Sequence, residues 1–271
     1  MSNRLLWIIC ACILLVFPLV IKGQPLDEVA PKPTLQDRRV LPYPPVREAD
    51  ILWEKRIWQE VDTRQLMNQP FRYPEASLVE LLMKGIEMGE IKAYSPENDK
   101  FSIEMQGDDL NAMMSRSDTV QVMDPETYEI SYEVVSDDFN PEDIIKYRIK
   151  EVWFFDTRRS ALSVRILGIA PIKAVTDEQG NFRYEQPLFW VYYPHCRPYL
   201  ARQEVYTVGN DAAALSWENH LERRFFDSYI VKESNVHDRR ISDYATGREA
   251  GLESDRIERE IFNYEHDLWS Y

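Results

Sequence analysis

The adjacent residues His195 and Cys196 are the pair in this sequence that could most directly supply a nucleophile and its general base. That chemistry needs the imidazole within hydrogen-bond reach of the thiol, and a third group that orients the imidazole. The pair follows a predicted strand, on which neighbouring side chains point to opposite faces, and no recognisable motif supplies the third group. We therefore predict that Cys196 is buried or half-buried and has no catalytic role.

Metal and phosphate chemistry have no better support. His220, His237 and His266 are far apart in the sequence and fit no zinc motif. The pairs Asp108–Asp109 and Asp137–Asp138 lack the spacing of a calcium-binding loop and are typical of turns and caps. No glycine-rich phosphate loop is present. The sequence thus predicts no catalytic residue, no metal and no cofactor. Two alternatives stay open: a hydrolase in which a histidine converges with an acid or Cys196, and a free-standing ligand-binding module.

The chain is predicted to divide into three parts. Residues 1–23 carry Arg4 and a long apolar run, which is typical of a signal peptide. Residues 24–46 hold six prolines and form an extended arm, either a tether or a segment laid onto a partner. Residues 47–271 form the folded domain. Cys196 is the only cysteine beyond residue 23, so an intrachain disulfide is excluded there.

Net charge restricts the class of partner. Removal of Arg4 and Lys22 with the signal peptide leaves 30 basic residues (32 − 2) against 46 acidic ones, a net charge of −16. Nucleic acids and anionic membrane surfaces are bound mainly through Lys and Arg, so this balance disfavours both. It favours a partner that presents positive charge.

The apolar patterns predict an α+β domain, in which an antiparallel β meander is flanked by helices. Residues 47–67 are predicted as a helix whose apolar side chains spread over roughly 220° of its circumference. Such a helix is either sandwiched within its own domain or presents one flank to another chain. A second helix begins at a capping box formed by Ser77 and Glu80 and ends at Gly89.

Strand patterns follow the second helix. Apolar residues alternate with polar ones over 128–134. Residues 147–168 are predicted as a hairpin that turns at 156–160, and residues 188–193 as an inner strand that is apolar on both faces.

The remainder is predicted to be mostly helical. Residues 215–226 form an amphipathic helix, 229–231 an edge strand and 233–255 a polar surface loop. A terminal helix over 252–271 docks either on its own sheet or on a neighbouring subunit.

Several long segments, taken in order, resemble the gliding motility protein GldN, which is called PorN in non-gliding species. The resemblance covers about residues 45 to 270. It rests on PVREADILW (45–53), RIW (56–58), MNQP (67–70), EVWFFD (151–156), RILGIAP (165–171), LFWVYYP (188–194), RFFDSYI (224–230), SDRI (254–257) and EHDLW (265–269).

The resemblance implies a bacterium of the Bacteroidota and a periplasmic component of the type IX secretion system. In that family, GldN pairs with the outer-membrane lipoprotein GldK to build a ring beneath the outer membrane. It also contacts the periplasmic part of GldM, which forms the proton-driven motor with GldL. Family members are structural subunits, so the resemblance implies a non-enzymatic protein and carries no catalytic residue over to this chain.

A ring closed by head-to-tail contacts needs two different complementary patches on each subunit. Aromatic side chains are enriched at the anchors of protein interfaces. We therefore expect Trp53 and Trp58 to form one patch, and Trp269 with Tyr271 to form the other.

Overall fold

The computed structural model describes residues 37–74, 76–107, 110, 116–123, 130–137, 139–176, 181–207 and 215–268. All of these residues belong to one compact unit, which spans Thr34–Tyr271. The predicted signal peptide and the first part of the arm lie outside the described residues, as do Tyr128, Trp269 and Tyr271.

Nine strands and four α-helices are present among the described residues. In chain order these elements are β1 (Ile51–Asp62), α1 (Leu78–Glu87), β2 (Ala93–Tyr94), β3 (Arg116–Met123), β4 (Ile130–Asp137), β5 (Ile144–Asp156), β6 (Ala161–Thr176), β7 (Phe182–Pro187), β8 (Trp190–Tyr192), α2 (Tyr193–Leu200), α3 (Trp217–Glu222), β9 (Tyr229–Glu233) and α4 (Arg248–Leu268). Short 3₁₀ turns cover Glu48–Asp50, Leu66–Arg72, Pro141–Asp143 and Ile241–Asp243.

Seven strands form one antiparallel sheet. Six of them follow the order β2-β8-β6-β5-β1-β9, and the seventh, β7, pairs with the last residues of β6, after those that pair with β8. The hairpin of β5 and β6 is the longest ladder, and β1 is inserted between β5 and β9. Strands β3 and β4 form a separate antiparallel pair. The predicted α+β class with an antiparallel sheet is therefore confirmed.

The helix predicted over residues 47–67 is wrong, because most of this segment is strand β1. Ile57 and Val61 lie on one face of the strand and Trp58 lies on the other, and all three are buried. A strand covered on both faces has apolar residues at odd and even positions, which hides the two-residue period. The 220° spread of apolar residues reflects these two covered faces. Ile, Val and Trp also favour strands over helices.

Local signals for α1 and for the central hairpin are confirmed. Ser77 Oγ accepts from the Glu80 amide and the Glu80 carboxylate accepts from the Ser77 amide, which completes the capping box. Gly89 adopts φ +73° immediately after the helix, a conformation that glycine reaches without strain. The β5–β6 hairpin turns between Asp156 and Ala161, as predicted.

Three boundaries differ from the sequence-based expectation. Only Trp190–Tyr192 of the run 188–193 is a strand, because α2 begins at Tyr193 with Pro194 in its first turn, where proline is well tolerated. Helix α3 is shorter than predicted and ends before Arg224, which has φ +55°. Helix α4 begins at Arg248, so the predicted loop over 233–255 is partly helical.

One face of the sheet carries the main core and is covered by α1, α2 and α3. Its largest fully buried side chains include Phe71, Tyr147, Phe189, Tyr193 and Trp217. A second buried cluster joins α4 to β1 and β9 through Ile57, Ile230, Ile241, Ile257 and Ile261. The terminal helix therefore docks on its own sheet. The opposite face of the sheet carries Trp58, which is covered by Tyr94, Phe101 and Val231 and not by α1, α2 or α3; this helix-free face is referred to below as the open face.

Candidate interaction sites

The candidate nucleophile lies in the interior. Cys196 is in α2 with 1% of its surface exposed, and its Sγ donates to the carbonyl of Tyr192 at 3.2 Å. Burial raises the pKa of the Cys196 thiol to about 12, so the thiolate form that would attack a substrate is suppressed. The neighbouring His195 is exposed and packs edge-on against Tyr192. The prediction of a buried Cys196 is confirmed.

The three histidines considered as metal ligands lie on separate elements of the fold. His220 lies inside α3, His237 lies in an exposed loop and His266 lies near the end of α4. Within the described part of the chain, no group of three His, Cys, Asp or Glu side chains could hold a metal ion.

We expect His220 to make the stability of this domain pH-dependent. It is 5% exposed, packs against Phe71 and Trp217, and burial lowers its pKa to about 4. Between pH 4 and 6.5 the unfolded chain therefore binds more protons at this position than the native chain, so stability falls as the pH falls. We expect the His220 contribution to lower the free energy of unfolding by about 2 kcal/mol between pH 7 and pH 5. Urea unfolding of wild type and His220→Leu over this range measures it. Parallel pH profiles for the two proteins would contradict the assignment.

The first predicted patch is divided between the two faces of β1. Trp53 is half-buried and stacks on Tyr264 of α4, with ring centroids 5.0 Å apart. Trp58 is 7% exposed on the open face, where the ammonium groups of Lys232 and Lys150 lie 4.5 and 5.3 Å from its ring centroid. The structure thus does not bring the two indoles together. Trp269 and Tyr271, the second predicted patch, lie outside the described residues.

A network of charged side chains lies beside Trp58 on the open face. Glu60 accepts from Arg148 at 2.6 Å, lies 3.4 Å from Lys146 Nζ, and accepts from the Tyr229 hydroxyl at 2.9 Å. Lys146 also contacts Glu185 at 2.5 Å. Burial opposes both charges, but the opposite charges outweigh it, so the pKa of Glu60 is lowered and that of Lys146 is raised.

Two grooves flank this network. One has a volume of about 490 Å³ and runs between β9 and the first half of α4, with Glu60, Lys146 and Tyr229 on one side and Ala250, Gly251 and Ser254 on the other. The second, of about 240 Å³, extends from Trp58 to the loop 96–100. Arg148, Val231 and Arg240 line both grooves, so the two grooves are adjacent on the surface.

The end of the predicted arm is docked on the domain. The Tyr43 ring lies over the Arg197 guanidinium at 4.0 Å, and its hydroxyl donates to Glu222 at 2.5 Å. Arg165 donates to the Pro44 carbonyl at 2.7 Å. Burial and the adjacent Glu222 carboxylate raise the pKa of the Tyr43 hydroxyl, so it remains a hydrogen-bond donor. Sequence reasoning missed this site, although Tyr43 is the one aromatic residue of the proline-rich arm.

Comparison with known families decides the identity of the chain. Residues 46–270 match the family described as "Gliding motility associated protein GldN". The chain belongs to the GldN family. The match covers nearly the whole domain and confirms the resemblance found in the sequence. No curated protein matches the chain.

Membership in the GldN family makes this protein a component of the gliding motility and type IX secretion machinery. GldN proteins are non-enzymatic components, which agrees with the buried Cys196 and the dispersed histidines. The family also indicates a location in the cell envelope. Among the helices of the described residues, none has the length and apolar character needed to cross a bilayer.

Proposed function

We propose that this GldN-family protein is a structural subunit of the periplasmic ring of the type IX secretion machinery. It binds a GldK-like outer-membrane lipoprotein, the periplasmic domain of a GldM-like motor protein, and further copies of itself. Its location is the periplasm, at the inner face of the outer membrane, where the lipoprotein holds it. The observation that carries this proposal is the family match over residues 46–270.

Charge and surface shape support a binding role. The full chain has a net charge of −14, so a partner with positive charge is attracted over a distance set by ionic strength. The open face offers concave surface with aromatic and arginine side chains, among them Trp58, Tyr229 and Arg148, and these residue types are enriched at the anchors of protein interfaces.

The test combines a gene deletion with complementation and purification. We expect the deletion to abolish export of type IX cargo, and an affinity-tagged copy to restore export and to co-purify with the lipoprotein and the motor protein. A tagged protein that restores export but purifies as a free monomer would contradict the ring proposal and favour a free-standing ligand-binding module.

The two aromatic patches are tested within the same system. We expect both double variants, Trp53→Ala with Trp58→Ala and Trp269→Ala with Tyr271→Ala, to impair ring assembly and cargo export. Because Trp58 is buried, the first double variant could lose assembly simply by being less stable, so its thermal unfolding is also measured. Lost assembly with an unchanged Tm identifies a contact surface. Normal assembly and export by either double variant would remove that patch from the proposal.

A further inference from the structure

The docking site of the arm has the features of a peptide-binding site. Two guanidinium groups hold the segment: Arg197 lies under the Tyr43 ring and Arg165 lies 5.0 Å from its centroid. Arg165 also donates a hydrogen bond to the Pro44 carbonyl, and Glu222 accepts one from the Tyr43 hydroxyl. An aromatic ring, a hydroxyl and a carbonyl of one extended segment are therefore recognised together.

The receiving surface is held in place by contacts that do not involve the arm. Arg197 in α2 and Glu218 in α3 form an ion pair at 2.7 Å, and they are only 7% and 8% exposed. Ser216, fully buried, caps α3 by accepting from the Asn219 amide. Ser216 also accepts from Arg38 of the arm, but because the other contacts join α2 and α3 directly, we expect the site to persist when the arm leaves it.

The arm itself is attached in a way that allows it to leave. Residues 37–47 belong to no strand or helix, so no backbone ladder ties them to the sheet. Prolines at positions 42, 44 and 45 fix the backbone torsions and keep the preceding residues extended, which lowers the conformational entropy lost on docking. Proline-rich segments bind aromatic and polar grooves in many recognition domains for this reason.

We propose that in the assembled machinery this site binds the Pro-Tyr-Pro-Pro segment, residues 42–45, of a second copy of the chain, so that neighbouring subunits exchange arms. The inference rests on the proposed function, because it requires adjacent copies. The contacts are identical whether the arm docks on its own domain or on the neighbour, so the exchange costs little free energy. Between adjacent copies in an assembly, a neighbour's arm is held close to the receiving site, so exchange carries little further entropic cost of association.

The connection to β1 limits which copies can exchange. Residues 45–50 join the docked segment to Ile51, and six extended residues span at most about 20 Å. The receiving site must therefore lie next to the start of the donor's β1, which only an immediate neighbour satisfies. The exchanged arm would link successive subunits in one direction, as a head-to-tail arrangement requires.

The first test is isotope-resolved photo-cross-linking in the full-length protein. A photoreactive benzoylphenylalanine replaces Tyr43, and unlabelled and ¹⁵N-labelled chains are mixed in equal amounts before assembly. We expect cross-links to α2 and α3 that join a light to a heavy chain in the assembled complex, and same-isotope cross-links in dilute monomers. An assembled complex that gives only same-isotope cross-links overturns arm exchange and leaves the proposed function intact.

The second test does not depend on assembly. The full-length Tyr43→Ala variant is titrated with a peptide of residues 38–46, with a peptide carrying alanine in place of Tyr43 as the matched control. We expect the native peptide to bind at least about tenfold more tightly than the control, and more tightly to the variant than to wild type, whose own arm competes. Equal affinity of the two peptides overturns the proposal. If Tyr43→Ala fails to fold, Tyr43→Phe, which keeps the ring and loses the Glu222 hydrogen bond, takes its place.

Discussion

Replacing Arg224 with alanine is expected to lower the free energy of unfolding by about 3–5 kcal/mol, because it leaves a buried carboxylate without its charge partner. Glu151 on β5 is 0% exposed and accepts from Arg224 Nη1 at 2.6 Å and from Trp153 Nε1 at 2.9 Å. Arg224 also donates to Gln59 at 3.0 Å, so its loss removes a second bond. Urea unfolding at pH 7 measures the effect.

The matched control is the preceding residue. Arg223 is exposed, and Arg223→Ala removes the same charge without leaving a buried partner, so its effect is expected to be within about 0.5 kcal/mol. Equal destabilisation by the two variants would show that the Glu151–Arg224 pair is not the cause.

The pH dependence of the Arg224→Ala variant has a defined sign. Burial raises the pKa of Glu151, and Arg224 opposes that shift in the wild type. Without Arg224 the folded-state pKa rises further above the unfolded one, so the native state binds more protons in the window between them and stability falls as the pH rises. The destabilisation should therefore be smaller at pH 5 than at pH 7.

Replacing Gly168 with alanine is expected to cost up to about 3 kcal/mol through overpacking. A Cβ at this position on β6 would lie 2.5 Å from Cζ of Phe101 and 3.2 Å from Cε3 of Trp190. The Phe101 ring cannot yield easily, because it packs edge-on against Trp190, Tyr192 and Tyr94. Thermal unfolding measures the loss.

Gly251 provides the matched control for Gly168→Ala. A Cβ at Gly251 in α4 would meet nothing within 4 Å, so Gly251→Ala is expected to stabilise the helix by about 0.5–1 kcal/mol. Destabilisation of similar size at both positions would contradict the packing argument and point to a general effect of added side chains.

The sequence predicted well the elements that are specified by neighbouring residues. Helix α1 carries its own capping box and its own terminating glycine, and the β5–β6 hairpin carries its turn between two strand patterns. Each of these signals lies within about twenty residues of the element that it defines. The family resemblance was also confirmed, because several long segments in fixed order carried it.

The sequence predicted poorly the features that depend on distant residues. Strand β1 is buried on both faces because helices pack on one face and Tyr94, Phe101 and Trp190 surround Trp58 on the other, and none of these residues lies within 47–67. Trp53 and Trp58 consequently face opposite sides of the sheet. The docking of Tyr43 depends on Arg197 and Glu222, which are far away in the chain and carry no recognisable motif. β7 also went unpredicted, because its residues alternate weakly and are largely exposed.

The position of β1 has a consequence for how this protein reaches its native state. Strand β1 cannot form a ladder until β5 is present, since Ile57 pairs with Glu151. Its second neighbouring strand is β9, in which Glu233 pairs with Ile57. Ladders between residues so far apart close large loops and slow the folding reaction. No amino-terminal portion of the chain contains all the strands of the sheet. The domain is therefore expected to fold in a single cooperative step after almost all of it has been synthesised.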